Sequence, residues 1–80
     1  MEYDEKRIEE AVLALLAAFN FDGGRSWKGF DFGVLDRLHM QGLVEDPKGK
    51  AKSIWLTQQG LEQGLRHAER LFGRKSSNGG

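Results

Sequence analysis

Cysteine is missing from this 80-residue chain, proline occurs once, and the charges cancel, with 12 Lys and Arg against 12 Asp and Glu. The lack of cysteine excludes disulfide frameworks, thiolate zinc sites and cysteine nucleophiles, and leaves hydrophobic burial as the visible source of stability. A zero balance excludes the overall basic charge that announces a nucleic-acid protein. The longest apolar run, Ala11–Phe19, falls well short of the ~18 residues that span a bilayer, and the first residues are acidic where a signal peptide starts basic. These features predict a soluble, cytoplasmic protein with no membrane partner. The length allows one small domain, expected over residues 1–73 with a disordered tail over 74–80.

Catalytic patterns are also scarce. His39 and His67 fall on different expected helices, and neither has a second histidine or a glutamate at zinc-binding spacing. No serine sits in a nucleophile elbow, and Asp22-Gly23-Gly24 lacks the alternating oxygen ligands and closing glutamate of a calcium loop. The expectation is a protein that is not an enzyme, with no catalytic residue, no metal and no small-molecule cofactor.

What is present reads as three helices and a hairpin, an α+β chain that is mainly α. Asp4 caps the first helix, with Tyr3 and Ile8 in position for a hydrophobic staple, and Ile8, Val12, Leu15, Leu16 and Phe19 recur on one face. Asn20–Phe30 breaks the pattern with Asp22-Gly23-Gly24, yet carries Phe21, Trp27 and Phe30, so this loop is expected to fold back and plug the core with its aromatics. Asp31 caps the second helix, whose inner face is Val34, Leu35 and Leu38; Gly42 and Leu43 form its stop signal. Leu43-Val44, a polar tip at Asp46–Lys50 and Lys52–Leu56 then predict a two-stranded hairpin. Thr57 caps the third helix, with Leu61, Leu65, Ala68 and Phe72 as its apolar stripe. The expected core comprises Ile8, Val12, Leu15, Leu16, Leu35, Leu38, Leu43, Ile54, Leu56, Leu61 and Leu65.

Charge is divided along the chain. Through Asp46 five cations stand against ten acids, and from Pro47 seven cations stand against two. Lys48, Lys50 and Lys52 occupy the hairpin, Arg66 and Arg70 follow on the third helix, and Arg37 lies beside the outward face of the second. These six are the candidate nucleic-acid contacts, suited to phosphates more than to bases, because Asp36 and Met40 dominate the outward face of the second helix. The same lysines also serve simply to protect a hairpin edge. Leu13, Ala17, Phe32, Met40 and Trp55 are apolar residues that the intrachain pattern leaves uncovered; they are the candidate surface for a protein partner or a homodimer.

The string Leu35–Val44, the lysine-bearing hairpin tip and Leu56–Leu61 together resemble the winged-helix proteins of bacteria, where a recognition helix ends in Gly-Leu, a β wing follows, and Leu-Thr-x-x-Gly opens the next helix. More closely, Met1–Phe72 resembles a small uncharacterised bacterial family. Trp27–Asp31, Leu35–His39, Asp46–Lys48 and Lys50–Ser53 carry that resemblance. It implies a winged-helix-like fold of three helices with a β-hairpin wing and assigns no activity. The stretch before the second helix, Gly-rich and without helical period, makes the helix-turn-helix look truncated. A non-enzymatic protein-interaction or homo-oligomerising module is therefore expected. The alternative that the resemblance implies is a DNA-binding winged-helix protein of the transcription-regulator type, touching phosphates through its wing and third helix.

Overall fold

The computed structural model describes residues 2–74, and the tail expected over 74–80 lies, beyond Arg74, outside them. Helix α1 (Glu5–Ala18) starts where the Asp4 carboxylate accepts the N–H groups of Lys6 and Arg7, at 3.0 and 3.2 Å, with Glu5 adding negative charge to the first turn. Both satisfy the exposed donors and positive end of a helix start. The chain then reverses through Asp22, Gly23 and Gly24, all at positive φ. Phe21 and Arg25 exchange backbone hydrogen bonds of 2.7 and 2.8 Å across this turn. Out of it comes strand β1 (Arg25–Trp27).

Helix α2 (Phe32–Met40) is capped by Asp31, which accepts the Val34 N–H at 3.2 Å. Its end is the one expected: Gly42 takes a φ of 78°, its N–H reaches the His39 carbonyl, and the Leu43 N–H reaches Leu38 at 3.0 Å. Strand β2 (Ser53–Trp55) leads to Thr57, whose hydroxyl accepts the Gly60 N–H at 3.0 Å, starting α3 (Gln58–Phe72), and donates to the Gly42 carbonyl at 2.7 Å. The end of α2 and the start of α3 are thus tied at one side chain.

Among the described residues, three helices and a two-stranded antiparallel sheet make a mainly helical α+β fold, but the strands pair differently from the expected hairpin. β2 pairs with β1, setting Arg25 against Trp55, Ser26 against Ile54 and Trp27 against Ser53. Leu43-Val44 supplies only a bridge from Val44 to Leu56, extended by the Glu45 N–H bonding the Trp55 carbonyl. Leu43 is already engaged, its N–H by Leu38 and its carbonyl by the Thr57 N–H, and Pro47 has no N–H to continue a ladder. The loop over Asn20–Phe30 is corrected in the same way. It contributes β1; Phe30 packs on the core, Trp27 turns outward with 61% of its surface exposed, and the inward residue of the strand is buried Ser26.

The core joins Val12, Leu13, Leu16 and Ala17 of α1 to Val34, Leu35 and Leu38 of α2 and to Leu43, Val44, Ile54 and Leu56. Ile8 and Leu65, both expected inside, are exposed, and Leu15 and Leu61 are only half-buried. For Leu61 and Leu65 the cause is the way α3 docks. α3 runs antiparallel to α1, with Arg70 at Glu10 and Gly64 at Leu13 and Ala17. Gly60 and Gly64 face the core. A Cβ on Gly60 would collide with the Leu43 carbonyl, and one on Gly64 would lie 2.6 Å from the Ala17 Cβ and 2.8 Å from the Leu13 oxygen. Close approach of backbones fixes the rotation of α3, and the Leu61, Leu65, Ala68 and Phe72 stripe, about a quarter turn away, swings toward the rim. The same docking buries Leu13 and Ala17 completely, so neither is available to a partner.

Candidate functional site

The alternation of β1 and β2 sorts their side chains. Ser26 and Ile54 point inward; Arg25, Trp27, Ser53 and Trp55 share the outward face. Phe21, brought back by the glycine turn, completes a row. Its ring centroid lies 5.0 Å from that of Trp27, the Arg25 guanidinium carbon stands 5.5 Å from the Phe21 ring and 5.8 Å from the Trp55 ring. The Arg25 Nε donates to the Ser53 Oγ at 3.0 Å and a terminal nitrogen lies 3.5 Å from Asp22. The guanidinium is held among π faces, an arrangement that stabilises a cation over rings and leaves both tryptophans open to solvent.

Beyond this strip lies the wing. Lys28 donates its Nζ to the carbonyls of Pro47 and Gly49, at 2.7 and 3.3 Å, and clamps the wing loop to β1; Asp46 accepts the Lys48 N–H. Lys48, Lys50 and Lys52 are exposed, and none belongs to an ion pair among the described residues. The other candidate cations go elsewhere. Arg37 donates to Glu9 at 2.7 Å and Arg70 to Glu10 at 3.0 Å, so both are committed to α1 rather than gathered with the wing, while Arg66 is exposed on α3. Gln41 also donates to Glu9 at 2.9 Å. These hydrogen bonds, from Arg37 first and Gln41 second, hold the Glu9 carboxyl below the usual carboxylate range and outweigh the effect of its partial burial; the charges of Arg37 and Lys6 act in the same direction.

Of the remaining candidate interface residues, Phe32 and Met40 are exposed at opposite ends of α2, and Trp55 belongs to the sheet strip. Sequence reasoning missed Arg25 and Phe21 as members of a surface cluster, because the pairing of β1 with β2 is what assembles it. It also missed the exposed side of α3, where Leu65 and Phe72 stand open. The signal for that was present: Gly60 and Gly64, four apart in a helix, mark a close-packed face.

The histidines make ordinary contacts. His39 Nδ1 lies 3.0 Å from the Val44 carbonyl, to which it donates, and His67 Nδ1 accepts from Arg70 at 2.9 Å. Among the described residues no group of three or more His, Asp and Glu is placed to hold a metal ion, and no helix is long and apolar enough to cross a membrane.

A mainly helical α+β domain of three helices and a two-stranded antiparallel sheet, with an aromatic and cationic sheet face, is the class these features define among the described residues. The model of a domain of unknown function, DUF6429, matches residues 4–74, and the chain belongs to that family. It is 49% identical over 74 residues to the uncharacterised protein y4hR of Sinorhizobium fredii, covering 92% of this chain and 95% of that protein. No solved structure matches the chain significantly.

Proposed function

We infer that the domain is a non-enzymatic interaction module that pairs with a second copy of itself through α3. The supporting observation is the rotation of that helix: of its apolar stripe, Leu61 still packs on the core and Ala68 is half-buried, while Leu65 is 46% and Phe72 54% exposed. A chain of this length buries only ~60–65% of its unfolded surface, so cover from a partner adds stability that its own core cannot supply. The outer border of the stripe carries Glu62, Arg66 and Glu69 in alternating sign. A two-fold axis between His67 and Ala68 sets Arg66 of each copy against Glu69 of the other, which makes the face self-complementary. Duplex binding through wing and third helix has narrower support, since Arg37 and Arg70 are paired with acids of α1.

Analytical ultracentrifugation over a wide concentration range tests this. The expected result is a dimer that survives high salt and becomes a monomer in the double variant Leu65→Asp, Phe72→Asp, with helix content retained. A wild-type chain that stays monomeric at every concentration overturns the reading.

A further inference from the structure

The sheet face carries a different chemistry from α3. We propose that the outward strip Trp27, Phe21, Arg25 and Trp55 is a stacking platform for single-stranded nucleic acid, with Lys50 and Lys52 drawing the phosphate backbone along it.

Stacking on a base needs a flat π surface that is exposed and held still. Trp27 and Trp55 meet that requirement: each is exposed, each is fixed in the β1–β2 ladder, and between them Phe21 and the Arg25 guanidinium are already packed face to neighbour. Arg25 is anchored at Nε by Ser53, so its plane is set before any ligand arrives. Every base has a π face, and binding of this kind tolerates sequence.

Charge gives the strip a direction. At the Ser53 end the ladder continues by one step, the Lys28 N–H bonding the Lys52 carbonyl, and the exposed Lys52 and Lys50 follow. At the Trp55 end stand two acids, Glu45, whose N–H bonds the Trp55 carbonyl, and Asp22 beside Arg25. An anionic backbone is favoured from the wing toward the middle of the strip and opposed beyond Trp55. A duplex does not fit this surface, because its bases are already stacked and paired; bases splayed from a single strand do.

The two tryptophans of the chain both lie on the strip, so their fluorescence reports on it directly. Titration of the full chain at low salt with a mixed-sequence single-stranded 12-mer should give saturable quenching that weakens as salt rises. Trp55→Ala, with Trp27 as reporter, should weaken binding by about fivefold or more, and Trp27→Ala likewise. Lys50→Gln with Lys52→Gln should weaken binding and flatten its salt dependence, and Glu45→Gln should tighten it. Circular dichroism checks that each variant remains folded, which their exposure allows. Absence of quenching overturns the proposal, as does an unchanged affinity in both tryptophan variants. So does equal or tighter binding of the same sequence as a duplex, or quenching by a proline-rich peptide in place of the oligonucleotide. None of these outcomes depends on whether the chain dimerises through α3.

Discussion

The two faces of α3 reverse the usual assignment of residue to environment. Its buried face is built on Gly60 and Gly64, which have no side chain to bury, while the face bearing Leu65 and Phe72 is open. Burial of apolar area favours the opposite rotation, at ~25 cal/mol per Å². What wins is approach distance: with glycine at two successive turns, the backbone of α3 lies directly against the Leu43 carbonyl and the Leu13–Ala17 stretch of α1. Dispersion contacts then form along a whole helix pair that bulkier residues would hold apart. An apolar stripe tells which residues could be inside; small residues at helical spacing tell how close another element can come.

The comparison breaks most sharply at Gly60. Gly60→Ala should destabilise by about 2–3 kcal/mol despite alanine's better helix propensity, because the obstacle is backbone that its own hydrogen bonds to Leu38 and Thr57 hold in place. A urea unfolding curve with an unchanged midpoint would show that α3 is docked by another face.

A smaller effect separates the two neighbours of α1. The α1–α2 contact includes the Glu9, Arg37 and Gln41 cluster, in which the Glu9 side chain is 14% exposed; the α1–α3 pair of Glu10 and Arg70 is more open. Glu9→Gln should cost about 0.5–1 kcal/mol at neutral pH, discounted for the exposure of Arg37. Because the folded-state pKa of Glu9 is depressed, its contribution is complete above the ordinary carboxylate range and lost as pH falls through the depressed value. The variant's stability should therefore fall less steeply with acid than that of the native chain, as measured by denaturation at a series of pH values. The smallest change is expected on the open face. Leu65→Ala should alter stability by less than about 0.5 kcal/mol when measured at concentrations too low for pairing.

These contrasts show what could be read from the residues alone. All three helix starts were legible, because Asp4, Asp31 and Thr57 act through atoms two or three residues away, and so was the end of α2 at Gly42. The inner faces of α1 and α2 were legible for the same reason of short range, apart from the exposed Ile8 and Phe19, the half-buried Leu15, and the completely covered Leu13 and Ala17. The pairing of β1 with β2 was not. It joins Arg25 to Trp55 across α2 and the wing, and a three-residue strand is too short for alternation to emerge above the surrounding glycines. The candidate strip inherits that difficulty, since Phe21, Arg25, Trp27 and Trp55 become neighbours only through the register. The wing lysines were legible as exposed charge, but the capture of Arg37 and Arg70 by α1 depends on helix packing that no local pattern encodes.

The neck of the wing has a consequence for how the chain tolerates change. Val44 bridges Leu56, Glu45 bonds Trp55, and Thr57 reaches both Leu43 and Gly42, so the two ends of the excursion are fastened at its base, and Lys28 pins it again near the tip. The entropy of closing this loop is met at the neck, and each doubling of its length adds only ~0.6 kcal/mol. Insertions at Lys48–Lys50, or a nick there, would leave the helices and the β1–β2 ladder joined as before. At the tip, cargo, a tag or a new binding sequence can be grafted at the expense of the Lys28 contact to Gly49, with the neck left closed.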